Sequence, residues 1–149
     1  MDAPHDIHAE RASALAADLR ALVGKMKRRL REQADAGDLT PSQTGAILRL
    51  EKDGPATTSG LARAEGMRPQ SMAAVVAALE AQGLVSGSPD PADGRQTLLS
   101  LTEACRRRLR EGRAARQDWL SRTLLARLSA DEQALVAEAV ALLDRVVSD

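Results

Sequence analysis

Apolar residues return at intervals of three and four along much of the chain, and the breaks in that rhythm mark out its elements. Leu15, Leu19, Leu22, Val23, Met26 and Leu30 form one face of a helix expected from about Ala9 to Gln33. The stretch ADAGDLT interrupts the pattern, and Thr40-Pro41-Ser42-Gln43 restarts it. This is a well-formed helix start: a threonine cap, proline at the first helical position, and glutamine three residues after the cap. The second helix is expected to end near Glu51, ahead of Lys52-Asp53-Gly54-Pro55. Thr57 or Thr58 can cap a short third helix, SGLARAE, which Gly66 stops. Arg68-Pro69 opens a fourth, running through Glu80 with Met72, Val75, Val76 and Leu79 inward, and Gly83 ends it.

The period then changes. Residues 84–86 read as a short strand, GSPDPADGR as turn chemistry, and residues 96–101 as a returning strand. Thr102 can cap a long fifth helix reaching about Leu128. Ser129 and Glu132 form a capping box for a sixth, apolar on most sides between Leu135 and Val147. A helix this apolar buries itself against its own core or against a second subunit.

Composition narrows the classes. A chain of 149 residues makes one domain or one compact two-lobed unit. With 28 alanines and a single aromatic residue, Trp119, its core must rely on close helix packing. The longest apolar run, residues 72–79, is too short to cross a bilayer, and the polar start MDAPHDIHAE is no secretory signal of the usual kind. A soluble, cytoplasmic, helix-rich protein is expected. The lone Cys105 excludes an internal disulfide and a cysteine-cluster metal site. His5 and His8, beside Asp6 and Glu10, have no later histidine to complete a metal site and read as a tail. No metal or cofactor is expected.

Net charge is zero, so the whole-molecule balance points to no partner. Its distribution is uneven. Residues 20–31 carry six basic groups and no acid, and residues 106–116 carry six arginines against Glu111. Such stripes track phosphates in some proteins and are solvated or salt-bridged faces in others.

The most specific local signal is the helix pair from Leu61 to Leu79. In a helix-turn-helix a small residue is needed where the helices touch, a glycine relieves the turn, and apolar residues pin the second helix. Ala62, Gly66, Met67, Met72 and Val75 supply that spacing. The arrangement exposes the second helix's first turns to a major groove, although an ordinary helical hairpin shares the pattern. A two-stranded hairpin with an Arg-tipped polar turn follows, which makes the unit a winged helix-turn-helix. The expected fold is mainly α with a small β-hairpin wing: residues 40–102 form the winged lobe, residues 9–33 and 103–149 a helical dimerisation lobe.

At this point the chain, over essentially residues 9–147, resembles the MarR family of transcriptional regulators. The stretch from Asp90 to Thr102 is similar to the family's wing, with its acid, basic tip and terminal Leu-Thr, and residues 79–85 are similar to its exit from the recognition helix. The resemblance implies a homodimer joined through its terminal helices, whose winged lobes bind successive major grooves of a pseudo-palindromic operator in double-stranded DNA. It also implies a small-molecule effector bound between the lobes that weakens DNA binding. A dimeric repressor, not an enzyme, is the function expected.

On that reading DNA contacts fall to Thr57 and Ser59 before and within the third helix, to Arg68, Gln70, Ser71 and Ala74 on the recognition helix, and to Arg95 at the wing. Asp90 and Asp93 would support the wing by holding Arg95 extended. Met26, Leu30, Ile47 and Leu109 are candidates for the effector pocket among the first, second and fifth helices. Two features depart from the pattern. Residues 41–102 hold five basic groups against six acidic ones, whereas phosphate binding calls for local positive charge. The recognition helix presents Ala73, Ala74, Ala77 and Ala78, which touch thymine methyls but make no hydrogen bonds.

Peroxide-sensing members of the family use a cysteine early in the first helix, and none stands there. Cys105 lies among apolar residues and arginines and reads as a buried thiol, although Arg106 to Arg108 could lower its pKa. Trp119 reads as core or dimer packing. With no tyrosine, two tail histidines and one cysteine, a nucleophile–base pair is hard to assemble. The near-neutral winged lobe keeps a protein-contact module as the alternative to a DNA binder.

Overall fold

The computed structural model describes the backbone of residues 3–34 and 39–149, with side chains from residue 6 onward. His5, half of the dismissed histidine pair, lies outside the described side chains. The elements are α1 (Ala3–Gln33), α2 (Pro41–Asp53), α3 (Thr58–Ala64), α4 (Pro69–Ala81), β1 (Val85–Pro89), β2 (Thr97–Leu101), α5 (Glu103–Arg127) and α6 (Ala130–Val147). None of the described helices is long and apolar enough to cross a membrane. The fold is mostly helical with one small antiparallel sheet.

The caps form as their sequences dictate. Gln43 N donates to Thr40 Oγ1 at 3.2 Å while Thr40 N donates to Gln43 Oε1 at 3.1 Å, closing the box that starts α2. Ser129 and Glu132 make the same pair for α6, at 2.9 and 3.2 Å. Hydrogen bonding to the carboxyl from the Ser129 backbone N–H, and from its hydroxyl, holds Glu132 below its ordinary pKa. Of the two candidate caps for α3, Thr57 is the one used, accepting from Gly60 N at 3.0 Å. Between α3 and α4, Gly66 adopts φ +63°, a conformation side chains resist, and Met67 N then reaches back to Ala62 O at 2.8 Å.

Two differences concern element ends. Helix α1 begins near Ala3, ahead of the expected start, with Asp6 in its first turn where the helix dipole favours an acid. Its early residues carry no apolar rhythm to announce them. Strand β1 runs on to Pro89, so Pro89 pairs with Thr97 at one end of the ladder and Val85 with Leu101 at the other. A further rung was not expected: Ala56 exchanges two backbone hydrogen bonds with Leu99, at 3.1 and 2.8 Å.

The chain divides into two units, Met1–Asp35 with Arg113–Asp149, and Ala36–Gly112. The dividing point falls inside α5, because its first turns belong with the winged unit. There Cys105 is 2% exposed, and Leu109 packs against the same core. That core joins Ile47 and Leu50 of α2, Leu61 and Ala62 of α3, Met72, Val76 and Leu79 of α4, and Leu99 and Leu101 of β2. Ala62 is 1% exposed, as a small residue at a helix contact must be.

In the other unit α6 has no buried residue. Leu135, Val140, Leu142, Val146 and Val147 are each more than half exposed, and on α1 Leu15, Leu22, Val23 and Met26 are 43–57% exposed.

Candidate nucleic-acid interface

Burial of Met72, Val76 and Leu79 on one side of α4 turns its other side outward, so Arg68, Gln70, Ser71, Ala73 and Ala74 are all exposed. Pro69 occupies the first helical position, where its missing N–H costs nothing. The hairpin stands beside this helix. Their facing sides, with the start of α3, border an open groove of about 530 Å3, whose walls include Thr57, Ser59, Gln70, Ala73, Gln96 and Thr97. Three separate segments therefore meet there: Thr57 and Ser59, Gln70, and Gln96 with Thr97. Ser71 and Ala74 lie on the same exposed side of α4.

The two aspartates build the wing turn through its backbone rather than through Arg95. Asp90 Oδ1 accepts from Ala92 N at 2.9 Å and Asp93 Oδ1 from Arg95 N at 3.1 Å. The turn closes with Gln96 N donating to Asp93 O at 3.0 Å and Asp90 N to Gln96 O at 2.9 Å. Each carboxylate thus accepts from a backbone amide through one oxygen, the usual behaviour of aspartate in tight turns. Arg95 makes no ion pair among the described residues, so the expected acid–guanidinium support is absent and its side chain projects unpaired from the hairpin. Arg68 and Arg63 make no ion pair among the described residues either, whereas Arg49 is tied to Asp53 and Glu65, both at 3.5 Å, and to Ala64 O at 3.4 Å.

Thr102 anchors the far end of the wing. Its hydroxyl donates to Gly83 O at 2.7 Å and accepts from Cys105 N at 3.1 Å, while its own N–H reaches Leu84 O at 3.1 Å. One residue so links the exit of α4, the end of β2 and the start of α5. Nearby, burial pushes the Cys105 thiol above its ordinary pKa, and the opposing pull of Arg108 and Arg106 does not reverse this.

The four effector-pocket candidates do not gather within one unit. Ile47 is 3% exposed in the winged core and Leu109 packs against that core. Met26 and Leu30 belong to the helical unit. Met26 borders a cleft of about 500 Å3 with Leu22, Lys25, Trp119, Leu120 and Arg127. Trp119 forms part of its wall, with the Arg29 guanidinium 5.6 Å from the ring centroid, a cation–π distance. Among the described residues no cluster of His, Cys, Asp and Glu is arranged to hold a metal ion.

Helix pair, exposed recognition face and flanking hairpin together make this a winged helix-turn-helix regulator. The MarR family model matches residues 37–96. A HTH-type transcriptional regulator of Mycobacterium bovis, itself uncharacterised, is 36% identical over 135 residues, covering 91% of this chain and 94% of the relative. One from Mycobacterium leprae is 33% identical over the same shares. Among solved structures, a Pseudomonas aeruginosa chain described as a transcriptional regulator is 38% identical, covers 93% of this chain and 97% of its own, and superposes with a TM-score of 0.79. A variant of S. aureus MepR bound to an oligodeoxyribonucleotide shares the fold, with a TM-score of 0.71 at 18% identity over 90% of this chain and 98% of its own. The chain belongs to the MarR family of HTH-type transcriptional regulators.

Proposed function

We propose that the chain is a dimeric repressor that binds a pseudo-palindromic DNA operator and is released from it by a small molecule. The observation that carries the DNA reading is the shared groove: an exposed first turn of α4, with Gln70 and Ser71 leading it, stands beside a hairpin bearing the unpaired Arg95. A helix presented this way enters a major groove, and a glutamine there bonds an adenine edge with both arms of its amide. Two such lobes related by a twofold axis read two half-sites, and bound DNA is closed to polymerase.

The dimer follows from the exposed faces of α6 and α1. Stranding several Leu and Val side chains in water costs several kcal/mol at ~25 cal/mol per Å2, and a second copy removes that cost. The effector reading is supported by the cleft beside Met26, apolar along Leu22, Trp119 and Leu120 and bordered by Lys25 and Arg127, neither of which makes an ion pair among the described residues. A molecule binding one half-site spacing better than another would shift the dimer away from DNA.

Selecting bound duplexes from a random pool with the purified protein tests this directly. The expected result is an inverted repeat. On it, Gln70→Ala should lose roughly 1–3 kcal/mol, with a smaller loss on random duplex. An equal loss on both would make Gln70 a backbone contact. The protein-contact alternative draws on the near-neutral winged lobe, and it predicts no salt-dependent shift of generic duplex.

A further inference from the structure

We infer that Gln96 and Thr97, at the root of the wing, form an uncharged seat for the phosphodiester strand of bound DNA. The inference rests on the DNA-binding reading and assigns two residues of the wing stretch to which the sequence gives no role of their own. In a duplex, one sugar–phosphate strand separates each major groove from the minor groove beside it. A protein that places a helix in the first and a hairpin in the second must let that strand pass between them. In this chain the space between α4 and the wing is the groove of about 530 Å3.

Its walls have a consistent chemistry. Gln96 and Thr97 come from the wing, Thr57, Thr58 and Ser59 from the start of α3, and Gln70 from α4. Pro69 and Ala73 complete the walls as apolar surface, and none of the eight residues is charged. The other six side chains are amides or hydroxyls. Such groups donate to phosphate oxygens readily, and contacts of this kind position a protein without reading sequence. The unpaired Arg68 and Arg95 stand outside these walls.

Local packing leaves the two wing residues available. The backbone of Gln96 is engaged with Asp90 and Asp93, while its side chain is exposed and makes no bond among the described residues. Thr97 shares the inward-facing side of β2 with the buried Leu99 and Leu101, but lies at the open end and is exposed. Its methyl lies across the hairpin against Gly87, where a Cβ would come within 2.7 Å of it. The glycine thus lets the threonine sit tightly over β1.

An uncharged seat has a signature that a cationic one lacks. A lysine or arginine on a phosphate releases a counterion and steepens the dependence of affinity on salt; an amide or hydroxyl does not. The test uses the full-length dimer, a duplex selected by the protein, and random duplex. Gln96→Ala, with circular dichroism checking the fold, should weaken binding about threefold per wing and so about tenfold for the dimer. The loss should be alike on both duplexes and the salt slope unchanged. Thr97→Val, which keeps the methyl against Gly87, should do the same to a smaller degree. Gln96→Lys should restore affinity at low salt and steepen the slope by roughly two for the two wings.

A methylphosphonate placed phosphate by phosphate through the selected duplex locates the contact. At one position per half-site the Gln96→Ala loss should vanish. A loss confined to the selected duplex, cancelled by a base-pair change instead, would make Gln96 a base reader and overturn the seat. Wild-type affinity in Gln96→Ala and Thr97→Val would overturn it as well, while leaving DNA binding intact. If the wild-type protein binds no duplex, the DNA reading fails and the seat with it.

Discussion

Arg95 is the residue whose surroundings most constrain its role. Its backbone N–H is held by Asp93, while its guanidinium has no partner among the described residues. An arginine kept on a tight turn and left unpaired is placed to meet a phosphate or a narrow minor groove, where A·T-rich sequence deepens the negative potential. Arg95→Ala should therefore leave the melting temperature unchanged, weaken operator binding, and flatten the slope of log K against log salt by roughly two for a dimer. Unaltered affinity and slope in a binding titration would place the wing away from DNA. Asp93→Ala should act differently, through the turn: loss of its bond to Arg95 N loosens the hairpin, and the salt slope stays. Cys105 illustrates the opposite case, a group with a buried place and no outlet. Burial raises its pKa, so the folded protein keeps the thiol proton at a pH where the unfolded chain has begun to lose it. Its contribution to stability is complete below the ordinary thiol pKa and is lost as pH rises through the folded value. A thiol reagent at neutral pH should label the native protein slowly and the denatured chain fast. Rapid native labelling would contradict the burial.

At the scale of elements, the winged unit is held in register by a few tie points, and Thr102 is the one shared by three elements. Thr102→Val should remove its hydroxyl bonds to Gly83 O and Cys105 N, leaving a carbonyl and a helix-start amide without partners. A loss of about 2 kcal/mol is expected by chemical denaturation, most of it recovered by Thr102→Ser. Capping and turn chemistry are local, which is why the sequence announces the starts of α2, α3, α4 and α6 and the reversal at residues 90–95. The helix pair is legible for a similar reason: Ala62, Gly66 and Met72 lie close together in the chain. What escapes such a reading is pairing across distance. Ala56 bonding Leu99 is a single rung with no period of its own. The aspartates of the wing look like partners for Arg95 on charge alone, but geometry gives their oxygens to backbone amides nearer by. The groove is assembled from three segments, so Gln70 can be named from its helix position, whereas Gln96 and Thr97 are legible as part of the wing but not as walls of the groove.

For the whole molecule the terms that matter are exposed apolar area and the placement of charge. Zero net charge gives the molecule no overall attraction to DNA, a winged lobe with more acids than bases adds none, and what positive field there is comes from the basic stretches at residues 20–31 and 106–116. Affinity then depends on short-range contacts and on exposed arginines such as Arg68 and Arg95, which make no ion pair among the described residues. The exposed side chains of α6 are the larger energetic fact. Deleting residues 130–149 should strip away that surface together with whatever holds the helical unit to a second copy. Aggregation or unfolding is expected, and a soluble, folded monomer by sedimentation and circular dichroism would refute a dimer built on these helices. The cleft of that unit has one more consequence, and it is optical. Trp119 is the only aromatic residue with useful near-ultraviolet emission in a chain that has no tyrosine and no phenylalanine. It borders the cleft with a guanidinium over its ring. Every photon of intrinsic fluorescence therefore originates at one known wall. A molecule that enters, or a second subunit that covers the site, announces itself by a change in colour or brightness with no background to subtract. The protein comes already labelled, at the place where labelling is most informative.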